Sequence, residues 1–177
     1  MNKKVLLTSF TTWLPHQKSN SSDDLLHEVT KNDFFPASLI TLRNLPVDVH
    51  QASTLVIQHI NQVNPDLIIN CGMAEKRKIL TLESQARCEN NLIETRVNLE
   101  KLIVGLKMTN VSHDAGKFVC EGLYYSMLKY LRDRYLQTPC IFVHVPVVSA
   151  QNLPDLKADF SEIITRLLTL EKSIITK

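Results

Sequence analysis

The chain has 177 residues, 44% of them hydrophobic and 21% charged, with a formal net charge of +2. That length and balance describe one globular domain with room for a sizeable core, read here as residues 1–177. They exclude a chain built to bind nucleic acid, which would carry a basic stripe interleaved with aromatics, and no apolar run approaches the roughly 18 residues of a membrane span.

From the N-terminus, Lys3-Lys4 leads into the short run Val5–Leu7 with no small-residue cleavage site, as expected of a first strand rather than a secretory signal. Val5–Phe10 is continuously apolar, the mark of a strand covered on both faces. Thr11–Ser22 reads as a polar loop holding Trp13, Pro15 and Asn20. Ser22 or Asp23 can cap a helix to about Lys31, with Asp23 and Asp24 near its positive end. Phe34-Phe35-Pro36 breaks it, and Ser38–Leu42 is a second strand candidate. Over Asp48–Val63 the residues Val49, Ala52, Leu55, Val56, Ile60 and Val63 fall on one helical side, and Asn64-Pro65 ends the pattern. Asp66–Cys71 is another buried strand, turning out at Gly72.

Glu75–Lys78 is charged, Leu80–Glu83 follows, and Arg87–Thr95 is polar, with Glu83 expected on the loop after strand Asp66–Cys71. A short helix over about Val97–Lys107 and a brief strand Val111-Ser112 come next. In Ala115–Leu131 the residues Val119, Leu123, Met127, Leu128 and Leu131 recur at helical steps, and that helix is expected to end near Tyr135. Thr138–Val145 is a strand carrying His144 near its end, Pro146 stops it, and Asp155–Ile175 is a terminal helix. Strands and helices alternate, and the strands are apolar throughout. This predicts an α/β domain in three layers, α/β/α, with a mostly parallel twisted sheet and helices on both faces.

Cys71, Cys88, Cys120 and Cys140 form no CxxC pair and lack zinc-site spacing. They read as reduced thiols of a cytoplasmic protein, with no metal and no cofactor implied. Neither GxGxxG nor GxxxxGK[ST] is present, so phosphate cradling has no sequence support, and a serine hydrolase elbow GxSxG is absent. Cys120 follows Gly116 in the first turns of its helix, where free N–H groups and the helix dipole favour a thiolate. Its other reading is a buried cysteine acting as a small hydrophobe. In doubly wound sheets, sites form beyond the carboxyl ends of the strands. The predicted topology delivers Glu83, Cys120 and His144 to that edge, and a thiol, an imidazole and a carboxylate are the parts of an activated nucleophile. Taken singly, Glu83 also reads as a solvated loop carboxylate and His144 as a hydrogen-bonded core histidine.

Four segments together resemble the pyroglutamyl-peptidase I family (pyrrolidone-carboxylate peptidases, peptidase family C15). VLLTSFTTW with Asn20 is similar to V-L-V-T-G-F-x-P-F-G-G…N-P-S at Phe10, Trp13 and Asn20. GMAEKRKILTLE is similar to G-Q-A-G-G-R-x-x-I-T-x-E at Gly72, Ala74, Arg77, Thr81 and Glu83. AGKFVCEGLYYSMLKYL resembles A-G-T-F-V-C-N-x-x-x-Y-x-x-L-x-Y-L, and FVHVPVV resembles F-I-H-V-P. The resemblance implies a phosphorylase/hydrolase-like fold and a thiol protease that removes an N-terminal pyroglutamyl group from peptides. Catalysis falls to Cys120, His144 and Glu83, and a slot for the lactam ring is lined by Phe10, Trp13, Met73, Phe118 and Val119. Core packing is the competing reading for the slot's apolar residues. A homodimer or homotetramer is also implied.

The chain departs from the family pattern in substrate recognition. Met73 stands where the family has glutamine, and a thioether cannot replace an amide's donor and acceptor. Glu75-Lys76 replaces Gly-Gly, where positive φ is a concern. Ser84 replaces an arginine, and Ile93 aligns with another, with Arg96 close by. The segment between Glu83 and Cys120 is also shorter than the family's. These changes motivate a second expectation from another class, a homologue that binds a small ligand or protein partner without hydrolysing it.

Overall fold

The computed structural model describes residues 3–31 and 35–169. In chain order the elements are β1 (Lys3–Phe10), α1 (Ser21–Val29), β2 (Ala37–Leu45), α2 (Val49–Val63), β3 (Leu67–Met73), β4 (Leu80–Glu83), β5 (Gln85–Cys88), β6 (Asn91–Glu94), α3 (Leu99–Leu102), β7 (Thr109–Ser112), α4 (Val119–Asp133), β8 (Cys140–Val145) and α5 (Leu153–Leu168). Six strands form one sheet in the order β2-β1-β3-β8-β4-β7. β2, β1, β3 and β8 run parallel. β4 runs antiparallel to β8, and β7 follows β4. The mostly parallel sheet expected from the apolar strands is therefore present, with a reversed pair at one edge.

Alternation along the strands supplies the two faces. Leu7, Leu67, Ile69, Leu80 and Leu82 pack with α1, α3 and α5. Leu6, Ile68 and Phe142 pack with α2, α4 and the β5–β6 hairpin. These are the three layers of the expected α/β/α sandwich. Among the described residues no helix is long and apolar enough to cross a membrane.

Several local expectations need correction. Glu83 ends a strand rather than sitting on a loop: in Leu80–Glu83 the leucines point to one face and Thr81 and Glu83 to the other, a period of two. Arg87–Thr95 is largely the hairpin β5–β6, whose inward residues Ala86 and Ile93 are cross-strand partners and whose turn holds Glu89 at φ 53°. The helix expected over Val97–Lys107 shrinks to Leu99–Leu102, capped by the Asn98 side chain. α1 is capped by Asn20, which accepts from Ser22 N–H, rather than by Ser22 or Asp23. α4 starts at Val119 instead of Ala115, because Gly116 takes a left-handed φ of 95° and Phe118 is extended. α5 runs Leu153–Leu168, and residues 170–175 of the expected terminal helix lie outside the described residues, as does Phe34 of the expected break.

α4 is set against α2 at Gly122, where an added Cβ would come within 2.5 Å of a Val49 methyl. Gly122→Ala should lower stability by about 1 kcal/mol, because overpacking of about 1–3 kcal/mol outweighs a helix-propensity gain of about 1 kcal/mol. In a Val49→Ala background the same change should instead stabilise. Urea unfolding of the four proteins measures this, and strictly additive effects would mean the two helices do not meet there.

Candidate active site

The reversed edge of the sheet builds the site. In the β4–β8 register Thr81 faces His144 and Glu83 faces Phe142, so these four side chains share the face covered by α4. On the other side of β8, Gly72 of β3 is the register partner of His144. A Cβ on Gly72 would lie 2.6 Å from Cys120 Sγ and 3.0 Å from Phe142 Cζ. The sulfur therefore rests on bare β3 backbone, one strand spacing (about 4.8 Å) from the strand that carries His144. Cys120 and His144 both line a cleft of about 970 Å³. The three expected residues are brought together.

His144 Nδ1 and Glu83 Oε1 are 2.7 Å apart, and both side chains are buried. An ionised carboxylate only accepts, so the shared proton is on Nδ1. The Phe142 ring packs tilted against the imidazole, centroids 4.9 Å apart, and so holds its plane. Glu83 Oε1 also accepts from the Arg77 guanidinium, which forms an ion pair with it, while Oε2 has no hydrogen-bond partner. Arg77 reaches further, to the Thr81 hydroxyl, to Ser112 Oγ (3.4 Å) and to the Asp114 carbonyl (2.8 Å). The Tyr124 hydroxyl of α4 donates to the Glu83 carbonyl at 3.0 Å.

Cys120 lies in the first turn of α4, which has Phe118 at its N-cap and no side-chain cap, so first-turn N–H groups lie at the cleft. Even so, burial pushes the thiol up to about 12, the Glu83 charge adds to the push, and Arg77 and the residue's own amide only partly oppose it. Desolvation thus works against the thiolate that the helix terminus favours. Cys71 lies on the opposite face of β3 with its thiol driven higher by burial, and all four cysteines are free. Among the described residues no cluster of His, Cys, Asp or Glu is arranged to hold a metal.

Of the expected slot residues, Trp13, Met73, Phe118 and Val119 line the cleft. Trp13 and Phe118, 51% and 70% exposed, pair at its mouth with ring centroids 5.7 Å apart. Phe10 is not among the lining residues; it is buried with Leu6 and Leu45, because the end of β1 turns it into the core. Met73 Sδ accepts from Ser21 N–H at the start of α1 (3.3 Å). Neither Glu75 nor Lys76 has a positive φ, so that loop does not require glycine. Glu75 instead holds His16 (3.0 Å) and Gln17 (2.8 Å), which ties the Trp13 loop to the β3–β4 loop. Arg96 bonds Gln137 and is not among the residues lining this cleft. Arg77 and Phe142 are site residues that the motif match or strand call covered without giving either a role. The alternation in Leu80–Glu83 was the available signal for what surrounds Glu83.

A family model described as pyroglutamyl peptidase matches residues 98–165. Pyrrolidone-carboxylate peptidase 1 of Caldanaerobacter subterraneus subsp. tengcongensis is 23% identical over 97% of this chain and 96% of its own length. The crystal structure of pyroglutamyl peptidase I from Bacillus amyloliquefaciens superposes with a TM-score of 0.80 at 22% identity, covering 95% of this chain and 96% of that one. Pyrrolidone carboxyl peptidase from Fervidobacterium islandicum gives 0.82 at 21% identity, covering 95% and 99%. The fold is thus that of these enzymes.

Because Cys120 is held as a thiol, iodoacetamide at neutral pH should modify exposed Cys88 before it. Its own rate should climb steadily with pH. Time-resolved peptide mapping checks this, and a rate already flat below neutrality would mean a preformed thiolate–imidazolium pair.

Proposed function

We propose that this divergent relative of the pyroglutamyl peptidases is a cysteine peptidase that removes an N-terminal pyroglutamyl, or related small, group from peptides. Cys120 is the nucleophile, His144 the base and Glu83 the group that orients it. One observation carries the reading: the Cys120 sulfur sits over Gly72, beside a histidine whose Nδ1 is engaged by a buried carboxylate at 2.7 Å. That arrangement leaves Nε2 as the only acceptor on the ring.

The chemistry follows from these atoms. As the sulfur attacks the pyroglutamyl carbonyl, the S–H proton passes to His144 Nε2, and Glu83 stabilises the imidazolium. Proton removal during attack, rather than before it, suits a thiol raised to about 12. The oxyanion is met by N–H groups of the uncapped first turn of α4. Collapse breaks the C–N bond, and the imidazolium gives its proton to the departing amine. Water then attacks the thioester with His144 again as base, which releases the acid and restores the thiol.

The flat apolar group fits between Trp13, Phe118 and Val119, and the peptide leaves through the open mouth. The proposal takes the chain as one peptidase domain working in the cytoplasm, where its four free thiols stay reduced. Assembly as a homodimer or homotetramer is part of the same reading. Met73 favours the second reading, a homologue that binds without turnover, because its sulfur faces Ser21 N–H and offers the ligand no amide.

Release of aminomethylcoumarin from its pyroglutamyl derivative decides between the two. The wild type should turn it over, and Cys120→Ala and His144→Ala should each abolish this. Binding of a pyroglutamyl peptide by calorimetry with no release of the dye would establish the second reading. Met73→Gln should raise kcat/KM on the same substrate by roughly ten- to hundredfold, the equivalent of about 1–3 kcal/mol for one restored buried polar contact. An unchanged kcat/KM would mean that Met73 does not face the ring.

A further inference from the structure

We infer that Arg77 is a positioning residue of this site: it keeps Glu83 ionised and leaves His144 neutral, free to act as a base. The inference rests on the peptidase reading above, and it concerns a residue that acts through its bond to Glu83.

Glu83 has no solvent exposure, and only one of its oxygens is hydrogen-bonded. Both cationic candidates, the Arg77 guanidinium and the His144 imidazole, address that same Oε1. A buried carboxylate needs one compensating charge. Arginine is always charged, whereas the imidazole is charged only when protonated. With Arg77 in place the carboxylate is already neutralised. Protonating His144 would then add an uncompensated cation to a buried site next to another cation. The second proton is therefore disfavoured, and the base form persists.

The other charged and titratable groups around the pair do not replace this balance. From α4, Cys120 is held as a thiol, Glu121 is drawn toward its neutral form by burial, and Tyr124 is held as a phenol. From β5, Arg87 bonds the Glu121 carboxylate through its main-chain N–H at 3.1 Å. From the loop after β7, Asp114 offers Arg77 its carbonyl, and its carboxylate accepts from Gly116 N–H at 3.0 Å. Arg77 thus spans the acid on β4 and the turn that leads into α4. One guanidinium holds the carboxylate and the approach to the nucleophile in register.

Removing it leaves the carboxylate with His144 alone. The imidazole is the stronger base of the two, so the proton settles there and the pair becomes a carboxylate–imidazolium ion pair. The test compares wild type, Arg77→Gln and Arg77→Lys. It follows kcat/KM against pH on pyroglutamyl-aminomethylcoumarin and titrates the His144 ring by NMR with 13C-labelled histidine, the signal assigned by its loss in His144→Ala. In Arg77→Gln the acid limb and the ring titration should both move to higher pH by roughly one unit or more. Most activity should return on the alkaline side, with KM little changed. Arg77→Lys should recover part of the displacement. An unmoved ring titration in a folded Arg77→Gln protein would overturn the inference, and so would a uniform loss at every pH. An inactive wild type whose ring titration still depends on Arg77 would sink the peptidase reading and uphold the coupling.

Discussion

A carboxylate with no access to water is the constraint from which the rest of this site follows. Glu83 is held in place by the register of an antiparallel strand pair, and its main-chain carbonyl is fixed by the Tyr124 hydroxyl from the covering helix. Such a charge is tolerable only with close donors. The sheet supplies His144 from the next strand, and the β3–β4 loop supplies Arg77. Were β4 parallel to β8, as in the rest of the sheet, its chain direction and hydrogen-bond register would change. Glu83 and His144 would no longer hold their present diagonal positions. The reversal at the edge is thus what brings Glu83 to His144.

The Cys120 sulfur is placed by an absence. Without a Cβ at Gly72, the Cys120 sulfur and the edge of the Phe142 ring both come down onto β3. Phe142 in turn braces His144 and packs against Tyr124. Dense packing of this kind removes water from the thiol and raises it, which works against a standing thiolate. In the proposed reaction, activation is then a matter of geometry, with charge created only as the bond forms. Uncharged resting groups avoid burying a second ion pair beside Glu83 and Arg77.

Much of this was legible in the sequence, and the missing parts have physical causes. Largely apolar runs such as Leu67–Cys71 announce strands covered on both faces, and Asp48–Val63 shows its helical face plainly. Cys120 and His144 could be assigned to the head of a helix and the end of a strand from local pattern alone. Strand direction could not, because alternation in Leu80–Glu83 is the same whichever way the strand runs. The β5–β6 hairpin was hidden because it buries only Ala86 and Ile93 and carries polar residues elsewhere. Arg77 was visible as a motif match, but its role depends on a contact with Glu83 that only β4 pairing creates. The burial that raises the Cys120 thiol was hidden for a related reason: a helix terminus is local, whereas desolvation is set by everything packed around it.

On the proposed peptidase reading, chemistry and recognition are held by different parts of the molecule. Glu83, His144 and Gly72 lie on paired strands within the sheet, and Cys120 begins the helix packed over them. Recognition falls to loops: the Trp13 segment, the β3–β4 loop with Glu75, and the turn ending at Phe118. The Trp13 segment and β3–β4 loop are joined by surface contacts of Glu75 with His16 and Gln17, which water competes for and salt screens. A substitution such as glutamine to methionine at position 73 changes what the slot can read while leaving the Glu83–His144 bond untouched. The aromatic pair Trp13–Phe118 still offers a flat apolar bracket, and such a bracket discriminates by shape far less sharply than a paired donor and acceptor would. A site built this way loses selectivity before it loses reactivity, since the former depends on a few loop contacts and the latter on the register of the sheet.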